Sequence, residues 1–259
     1  MALLHVDFFS DVLGMCSQMD VILPEKTRGQ IGMEGQAEDT GWKTLYLLHG
    51  MSDDHTIWQR RTSIERYAAD KGIAVVMPTT HLGWYTDMHL GFDYFTFITE
   101  ELPAICRNFF PNMSSRREDT YAAGLSMGGY GALKCGLRAG HVFSKVASLS
   151  GAVDAAQVAQ GEGTYWEDIF GPADQVPGSF NDLFKAAEDM KNSPNRPQVY
   201  MWCGTEDFLY DANVRMRDHL TKLGYALKYE DSPGDHQWKY WDEKIQTVLD
   251  WLIPGKEDK

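Results

Sequence analysis

Short apolar runs alternate with amphipathic stretches along most of the chain, which is the pattern of a sheet whose strands are connected by helices. Residues 42–49 form a nearly continuous apolar run, as expected for a strand covered by helices on both faces. Similar runs predict further strands near 19–23, 73–78, 120–123, 198–203 and 225–229. Apolar residues at helical spacing predict helices over 127–137, 211–222 and 238–252. The pattern therefore predicts an α/β fold.

Two long connections interrupt this alternation. Residues 27–41 are rich in Gly, Glu and Gln and are interpreted as a polar hairpin loop between the strands near 19–23 and 42–49. Residues 153–197 contain four prolines and are too long for a simple connection, so we expect a small lid-like excursion there. With 259 residues, no boundary-like linker and no internal repeat, residues 1–259 are predicted to form one domain.

A G-x-S-x-G motif, Gly124-Leu125-Ser126-Met127-Gly128, lies where a predicted strand gives way to a predicted helix. A serine at such a junction takes a sharp backbone turn, and the flanking glycines lack the Cβ atoms that would collide with strand and helix. Gly-rich turns of this kind also occur in α/β proteins without any catalytic role. Ser126 is therefore a candidate nucleophile that needs suitable partners.

The first partner is a histidine, because a serine hydroxyl needs an imidazole to take its proton and a carboxylate to orient that imidazole. In α/β enzymes that carry their serine on a G-x-S-x-G turn, the catalytic residues follow one another along the chain in the order Ser, then Asp or Glu, then His. His141 lies just past the helix that follows Ser126, and His219 lies within a polar-faced helix. His236 lies in a turn-rich loop after the strand at 225–229 and is the candidate base, the alternative being a surface histidine.

The carboxylate is predicted in the loop at 204–208, which follows the strand at 198–203. This loop contains both Glu206 and Asp207, and spacing alone does not separate them. Asp154 and Asp168 lie in other loops and are weaker competitors.

An oxyanion hole is predicted from two backbone amides. The Met127 amide lies at the start of the helix after Ser126, where unpaired N–H groups favour an anion. The second donor is expected after the strand at 42–49, from Met51 or, less favourably, Ser52, with Gly50 allowing close approach of the substrate. His49 is interpreted as a brace for this loop rather than as a general base.

Several aromatic and polar side chains are candidates for binding the substrate or a metal ion. Trp84 and Tyr85 follow the strand at 73–78 and are expected to border the acyl pocket, so the candidate substrate-binding residues are Gly50, Ser52, Trp84 and Tyr85. Trp238 and Trp241 are expected to pack the last helix onto the sheet and to fix the His236 loop, with substrate contact as the alternative. His81 and His89 flank Asp87, but they lack metal-ligand spacing, so neither a metal nor any other cofactor is predicted.

These motifs together resemble the esterase D group of α/β-hydrolases. The segments that carry the resemblance are Leu47-Leu48-His49-Gly50, Trp58, Tyr85-Thr86-Asp87-Met88, Glu100-Glu101-Leu102-Pro103, Gly124 to Ala132, Gly204 to Phe208 and Asp235-His236-Gln237-Trp238. The likeness is strongest to bacterial tributyrin esterases, with S-formylglutathione hydrolases as near relatives and secreted mycolyltransferases as distant ones.

The resemblance implies an α/β-hydrolase fold, with a central, mostly parallel twisted sheet, helices on both faces and antiparallel N-terminal strands. It implies a catalytic triad of Ser126, Asp207 and His236, and so favours Asp207 over Glu206. It further implies an oxyanion hole from the Met51 and Met127 amides, and hydrolysis of short-chain acyl esters. Self-association into a homo-oligomer is expected from the resemblance alone.

Composition narrows the class of partner. The formal net charge of −13 argues against binding to nucleic acid or to an anionic membrane surface. Residues 1–15 contain two aspartates and lack the basic start and long apolar core of a signal peptide, and no apolar stretch reaches membrane-spanning length. The protein is therefore expected to be cytoplasmic, and its four cysteines, which lack C-x-x-C spacing, are expected to be reduced core residues there.

The sequence therefore predicts a serine carboxylesterase for short acyl groups that acts on a small-molecule ester. The alternatives are an S-formylglutathione hydrolase, an acetyl esterase acting on carbohydrate esters, and a binding protein without catalytic activity.

Overall fold

A mostly parallel sheet of eight strands forms the centre of the protein. The computed structural model describes residues 1–27, 29, 31–32 and 35–254. The strands are β1 (Ala2–Ser10), β2 (Met15–Leu23), β3 (Thr44–Leu48), β4 (Ala74–Pro78), β5 (Thr120–Leu125), β6 (Lys145–Leu149), β7 (Gln198–Gly204) and β8 (Leu227–Ser232). Their order in the sheet is β1-β2-β4-β3-β5-β6-β7-β8, with β2 antiparallel to both β1 and β4 and all other neighbours parallel. The expected α/β-hydrolase sheet with antiparallel N-terminal strands is confirmed.

Helices cover both faces of the sheet. They are α1 (Ile57–Arg61), α2 (Ile64–Lys71), α3 (Tyr94–Thr96), α4 (Leu102–Phe109), α5 (Met127–Arg138), α6 (Ala155–Val158), α7 (Tyr165–Phe170), α8 (Leu183–Met190), α9 (Tyr210–Lys222) and α10 (Trp238–Leu252). A π-helical segment, Phe97–Glu101, joins α3 to α4. Buried side chains of α1, α2 and α10 pack on one face, and those of α4, α5, α7, α8 and α9 pack on the other.

Strand β3 shows why these residues form a central strand. Leu45 and Leu47 point into the core beneath α1, α2 and α10, whereas Tyr46 and Leu48 point into the core on the opposite face. Alternate side chains of a strand face opposite ways, so an apolar run without polar interruptions is needed where both faces are covered. Each fully buried leucine contributes about 1.5–3 kcal/mol.

The hairpin predicted at 27–41 is wrong. Strand β4 lies between β2 and β3 in the sheet, so the connection from β2 to β3 crosses over a neighbour instead of forming a hairpin. Residues 28, 30, 33 and 34 of this connection lie outside the described residues. Its composition correctly indicated a polar loop, but composition does not determine which strands pair.

The long connection between β6 and β7 contains α6, α7, a 3-10 turn at Ala173–Gln175, and α8. Asp182 begins α8 by accepting hydrogen bonds from the Phe184 and Lys185 amides at 2.9 and 3.3 Å, a typical N-cap. Movement of this excursion as a lid stays a prediction, as does the single domain. Within the described ranges, no helix combines the length and the apolar character needed to cross a membrane.

Candidate active site

The turn at Ser126 has a strained backbone. Ser126 adopts φ 52° and ψ −118°, a conformation that L-residues with a side chain rarely take. Close packing surrounds the turn: a Cβ on Gly124 would lie 2.4 Å from the Gly128 carbonyl oxygen, and one on Gly128 would lie 2.5 Å from that of Leu48. Both glycines are therefore required where β5 gives way to α5.

Backbone hydrogen bonds to the neighbouring strand hold this turn. The Ser126 amide donates to the Leu149 carbonyl at 2.9 Å, and the Ser126 carbonyl accepts from the Ala152 amide at 3.0 Å. The side chain is partly exposed, and the Ser126 hydroxyl makes no hydrogen bond with any described residue. A strained serine fixed on both sides and open to a cavity is the geometry of a presented nucleophile.

Two backbone amides near Ser126 are free to bind an anion. Met127 is the first residue of α5, and Met51 follows β3 in a turn in which the Asp53 amide donates to the Gly50 carbonyl at 3.3 Å. Within the described residues, neither the Met51 nor the Met127 amide has a hydrogen-bond acceptor. A Cβ on Gly50 would lie 2.7 Å from Leu125 Cδ1, so the loop approaches the Ser126 turn closely only with glycine there.

His49 braces this loop from within the core. The Thr80 amide donates to His49 Nε2 at 3.0 Å, so Nε2 is unprotonated and Nδ1 carries the proton that it donates to the Gly50 carbonyl at 2.7 Å. Burial lowers the pKa of His49 to about 4, which keeps the ring neutral. The Tyr85 hydroxyl also donates to the His49 carbonyl at 2.9 Å. Both ring nitrogens are occupied, as a bracing role requires.

His236 is paired with Asp207. Its Nδ1 lies 2.8 Å from Asp207 Oδ2, and Asp207 Oδ1 accepts from the Leu209 amide at 2.9 Å. Burial of Asp207 opposes its ionisation, yet the hydrogen bonds from His236 and the Leu209 amide outweigh burial and lower the pKa of Asp207 below its usual value. An ionised Asp207 holds the proton of His236 on Nδ1 and leaves Nε2 free to accept another.

The other carboxylates considered from the sequence lie elsewhere. Glu206 accepts a hydrogen bond from the Gly234 amide and so ties the Asp207 loop to the loop that carries His236. Asp154 caps α6 by accepting from the Gln157 amide and pairs with Arg215 at 2.7 Å. Asp168 belongs to α7, whose carbonyl groups at 168 and 169 accept from the Leu90 and His89 amides.

Ser126 and His236 border one cavity of about 470 Å³. The other lining residues are Gly50, Met51, Ser52, Asp53, Leu125, Phe208, Trp238 and Trp241. Phe208 is 77 % exposed, and its ring centroid lies 4.7 Å from that of His236. Trp241 packs edge-to-face against the same imidazole, at 4.8 Å between centroids. The cavity therefore combines a candidate nucleophile and base with an aromatic lining.

The predicted place of Trp84 and Tyr85 beside the acyl pocket is wrong. Both are buried in the core and do not line the cavity. Trp84 packs against the rings of Tyr130, Trp166 and Phe170, and Tyr85 supports the backbone at His49. Their chain position after β4 indicated a loop near the site, but it carried no information on the direction of the side chains.

Phe208 and Asp53 line the cavity although neither of them was given a role from the sequence. Phe208 directly follows the candidate acid, and Asp53 follows the candidate oxyanion loop, so position next to a motif was the available signal for both. Trp241 was expected to pack α10 and to fix the His236 loop, with substrate contact as the alternative. It packs in the core, lines the cavity, and donates from Nε1 to Ser150 Oγ at 3.2 Å.

Comparison with known proteins identifies the family. The family model described as Putative esterase matches residues 17–252. The chain belongs to this esterase family. An acetyl esterase of Caldicellulosiruptor saccharolyticus is 30 % identical over 97 % of this chain and 98 % of that protein. The resemblance to the esterase D-like group is confirmed, and so is the enzyme class, a carboxylic ester hydrolase.

Solved structures of similar esterase-family proteins agree with the fold. A fluorophosphonate-binding serine hydrolase F of Staphylococcus aureus, solved with substrate bound, is 33 % identical with a TM-score of 0.88, covering 98 % of this chain and 99 % of that chain. An S-formylglutathione hydrolase from Staphylococcus aureus is 34 % identical with a TM-score of 0.85, covering 97 % and 98 %. The family is thus a family of serine hydrolases with esterase members.

Proposed function

We propose that this esterase hydrolyses short-chain acyl esters through an acyl-enzyme formed on Ser126, with His236 as general base and Asp207 as its orienting carboxylate. The observation that carries the proposal is that the strained Ser126 turn and His236, which is hydrogen-bonded to Asp207, border one cavity. Among the described residues that line this cavity, His236 is the one imidazole.

The first half of the reaction follows from this arrangement. Nε2 of His236 removes the Ser126 proton as Oγ attacks the ester carbonyl, and the Met51 and Met127 amides stabilise the developing oxyanion. The protonated imidazole then donates its proton to the leaving alcohol, while Asp207 stabilises the imidazolium. Water repeats these steps on the acyl-enzyme and releases the acid.

The missing hydrogen bond from Ser126 to His236 is compatible with this mechanism, because such contacts commonly shorten only when substrate binds. The acetyl esterase relative supports the preference for short acyl groups. The cytoplasmic location, the closeness to tributyrin esterases and self-association stay predictions from the sequence.

The test compares wild-type protein with Ser126→Ala on p-nitrophenyl esters from acetate to decanoate. We expect the fastest turnover on acetate to butyrate, and a loss of roughly 10⁴-fold or more in the variant, because the nucleophile is removed. A fluorophosphonate probe should add its mass to the wild-type protein and leave the variant unmodified. Ester hydrolysis retained by Ser126→Ala would refute the nucleophile assignment.

A second candidate is an S-formylglutathione hydrolase, favoured by the Staphylococcus aureus neighbour of that activity. The glutathione leaving group carries carboxylates, which favour a cationic docking surface. The described residues that line the cavity include Asp53 but neither lysine nor arginine. We therefore rank this activity second, and S-formylglutathione assayed beside p-nitrophenyl acetate decides between the two.

A further inference from the structure

Asp53 is the one carboxylate among the described residues that line the cavity. A Cβ built on Gly50 lies 3.2 Å from Asp53 Oδ2 and 3.8 Å from Ser126 Cβ, so these two atoms are at most about 7 Å apart. An ester carbonyl under attack by Ser126 must therefore lie near the Asp53 carboxylate. The mechanism proposed above gives this side chain no part in acyl transfer.

The negative charge of Asp53 is poorly compensated. Within the described part of the chain, its carboxylate makes no ion pair within 4.0 Å. Partial burial raises the pKa of Asp53, and neighbouring Asp54 adds to this effect, while Arg61, a hydrogen bond from the Gly50 backbone and Arg60 oppose it. The weak solvation that raises this pKa also strengthens the repulsion between an ionised Asp53 and a second anion in the cavity.

Neighbouring Asp54 has a different environment. Its Oδ1 accepts from the Thr56 amide at 2.9 Å and from the Thr56 hydroxyl at 2.6 Å. It does not line the cavity. These hydrogen bonds favour the ionised form, and the pKa of Asp54 is lowered although burial opposes this. The two adjacent aspartates therefore differ in their place: Asp53 lines the cavity, whereas Asp54 is hydrogen-bonded to Thr56 and does not line it.

We propose that Asp53 is a specificity-determining residue that selects uncharged or cationic esters and disfavours esters bearing a carboxylate close to the reacting bond. This inference rests on the proposed function and adds to it the charge of the esters that the enzyme prefers. The aromatic lining from Phe208, Trp238 and Trp241 fits the same class, since aromatic faces attract cations and apolar surfaces but not carboxylates.

The expected size of the effect follows from Coulomb's law. Two unit charges about 8 Å apart, at an effective dielectric constant of about 40, change an equilibrium or a rate roughly fivefold. Added salt weakens the interaction, because the Debye length falls from about 10 Å at 0.1 M to about 3 Å at 1 M.

Three acetyl esters of one leaving-group series test the proposal: phenyl acetate, 4-acetoxybenzoate, and the acetate of 4-hydroxy-N,N,N-trimethylanilinium. We expect Asp53→Asn to raise kcat/KM for the anion relative to phenyl acetate about fivefold, and to lower it for the cation by a similar factor. Because each substrate is compared with itself in the two proteins, differences in leaving-group reactivity cancel. Asp54→Asn is the matched control, with the same change in net charge, and should alter these ratios much less.

Other outcomes separate the possibilities. Equal losses on all three esters in Asp53→Asn would show that the residue only supports the loop and would overturn the proposal, as would unchanged ratios. Should Asp53→Asn fold poorly, wild-type enzyme alone gives the answer: added salt should favour the anion over the neutral ester, and a salt-independent ratio would contradict the proposal. Wild-type protein inert toward all three esters would instead refute the proposed function and this inference with it.

Discussion

Replacing Asp207 by asparagine should disable the candidate base while preserving the shape of the site. Asp207 Oδ1 accepts from the Leu209 amide at 2.9 Å, so the asparagine oxygen must occupy that position, since the opposite orientation would place two donors against each other. The asparagine NH₂ group then takes the place of Asp207 Oδ2, which lies 2.8 Å from His236 Nδ1. A donor in that place holds Nδ1 unprotonated and puts the imidazole proton on Nε2, so His236 cannot accept the Ser126 proton.

The expected loss in kcat on p-nitrophenyl acetate is about 10³- to 10⁴-fold, which corresponds to about 4–5.5 kcal/mol of transition-state stabilisation. Glu206→Gln is the matched control: its amide oxygen can still accept from the Gly234 amide, so its activity should fall less than about tenfold. Thermal unfolding of both variants shows whether the fold is retained. Asp207→Asn with more than a tenth of wild-type activity would refute the tautomer argument.

Two further predictions concern stability. Gly128→Ala would place a Cβ 2.5 Å from the Leu48 oxygen and 2.6 Å from the His49 oxygen, so we expect a loss of about 1–3 kcal/mol or more together with reduced esterase activity; an unchanged Tm would contradict this. Burial lowers the pKa of Lys134 to about 7, so below that pH the folded state bears the cost of the buried charge, and stability should rise as the pH increases from about 7 towards 10. Lys134→Met should remove that rise in urea unfolding; parallel pH profiles for the two proteins would disprove it.

Strands with uninterrupted apolar runs were predicted from the sequence, and so was the more polar β8, whereas β1 and β6 were not. Strands β3, β5 and β7 are buried on both faces, so composition alone reveals them. Strand β1 lies at the sheet edge with exposed polar residues, and β6 has only five residues, several of them small, so neither was found. The hydrophobic pattern also does not predict which strands pair, as the crossover from β2 to β3 shows.

In the candidate site, too, some features were predicted from the sequence and others were not. Chain order and the G-x-S-x-G motif were enough to single out Ser126 and His236, which the structure places around one cavity. The choice between Glu206 and Asp207 depends on which of two adjacent side chains turns towards the imidazole, and spacing does not contain that direction. The inward packing of Trp84 and Tyr85 is set by tertiary contacts and was missed for the same reason.

The positive φ of Ser126 sets a limit on how stable this enzyme can become. A residue with a side chain in such a conformation costs of the order of 1–3 kcal/mol, and glycine would relieve that cost while abolishing the hydroxyl. Under the proposed mechanism, selection for thermal stability alone would therefore favour a glycine variant that has no nucleophile. Activity and stability conflict at residue 126 if Ser126 is the nucleophile proposed above, and stabilisation that preserves turnover then has to come from elsewhere in the molecule.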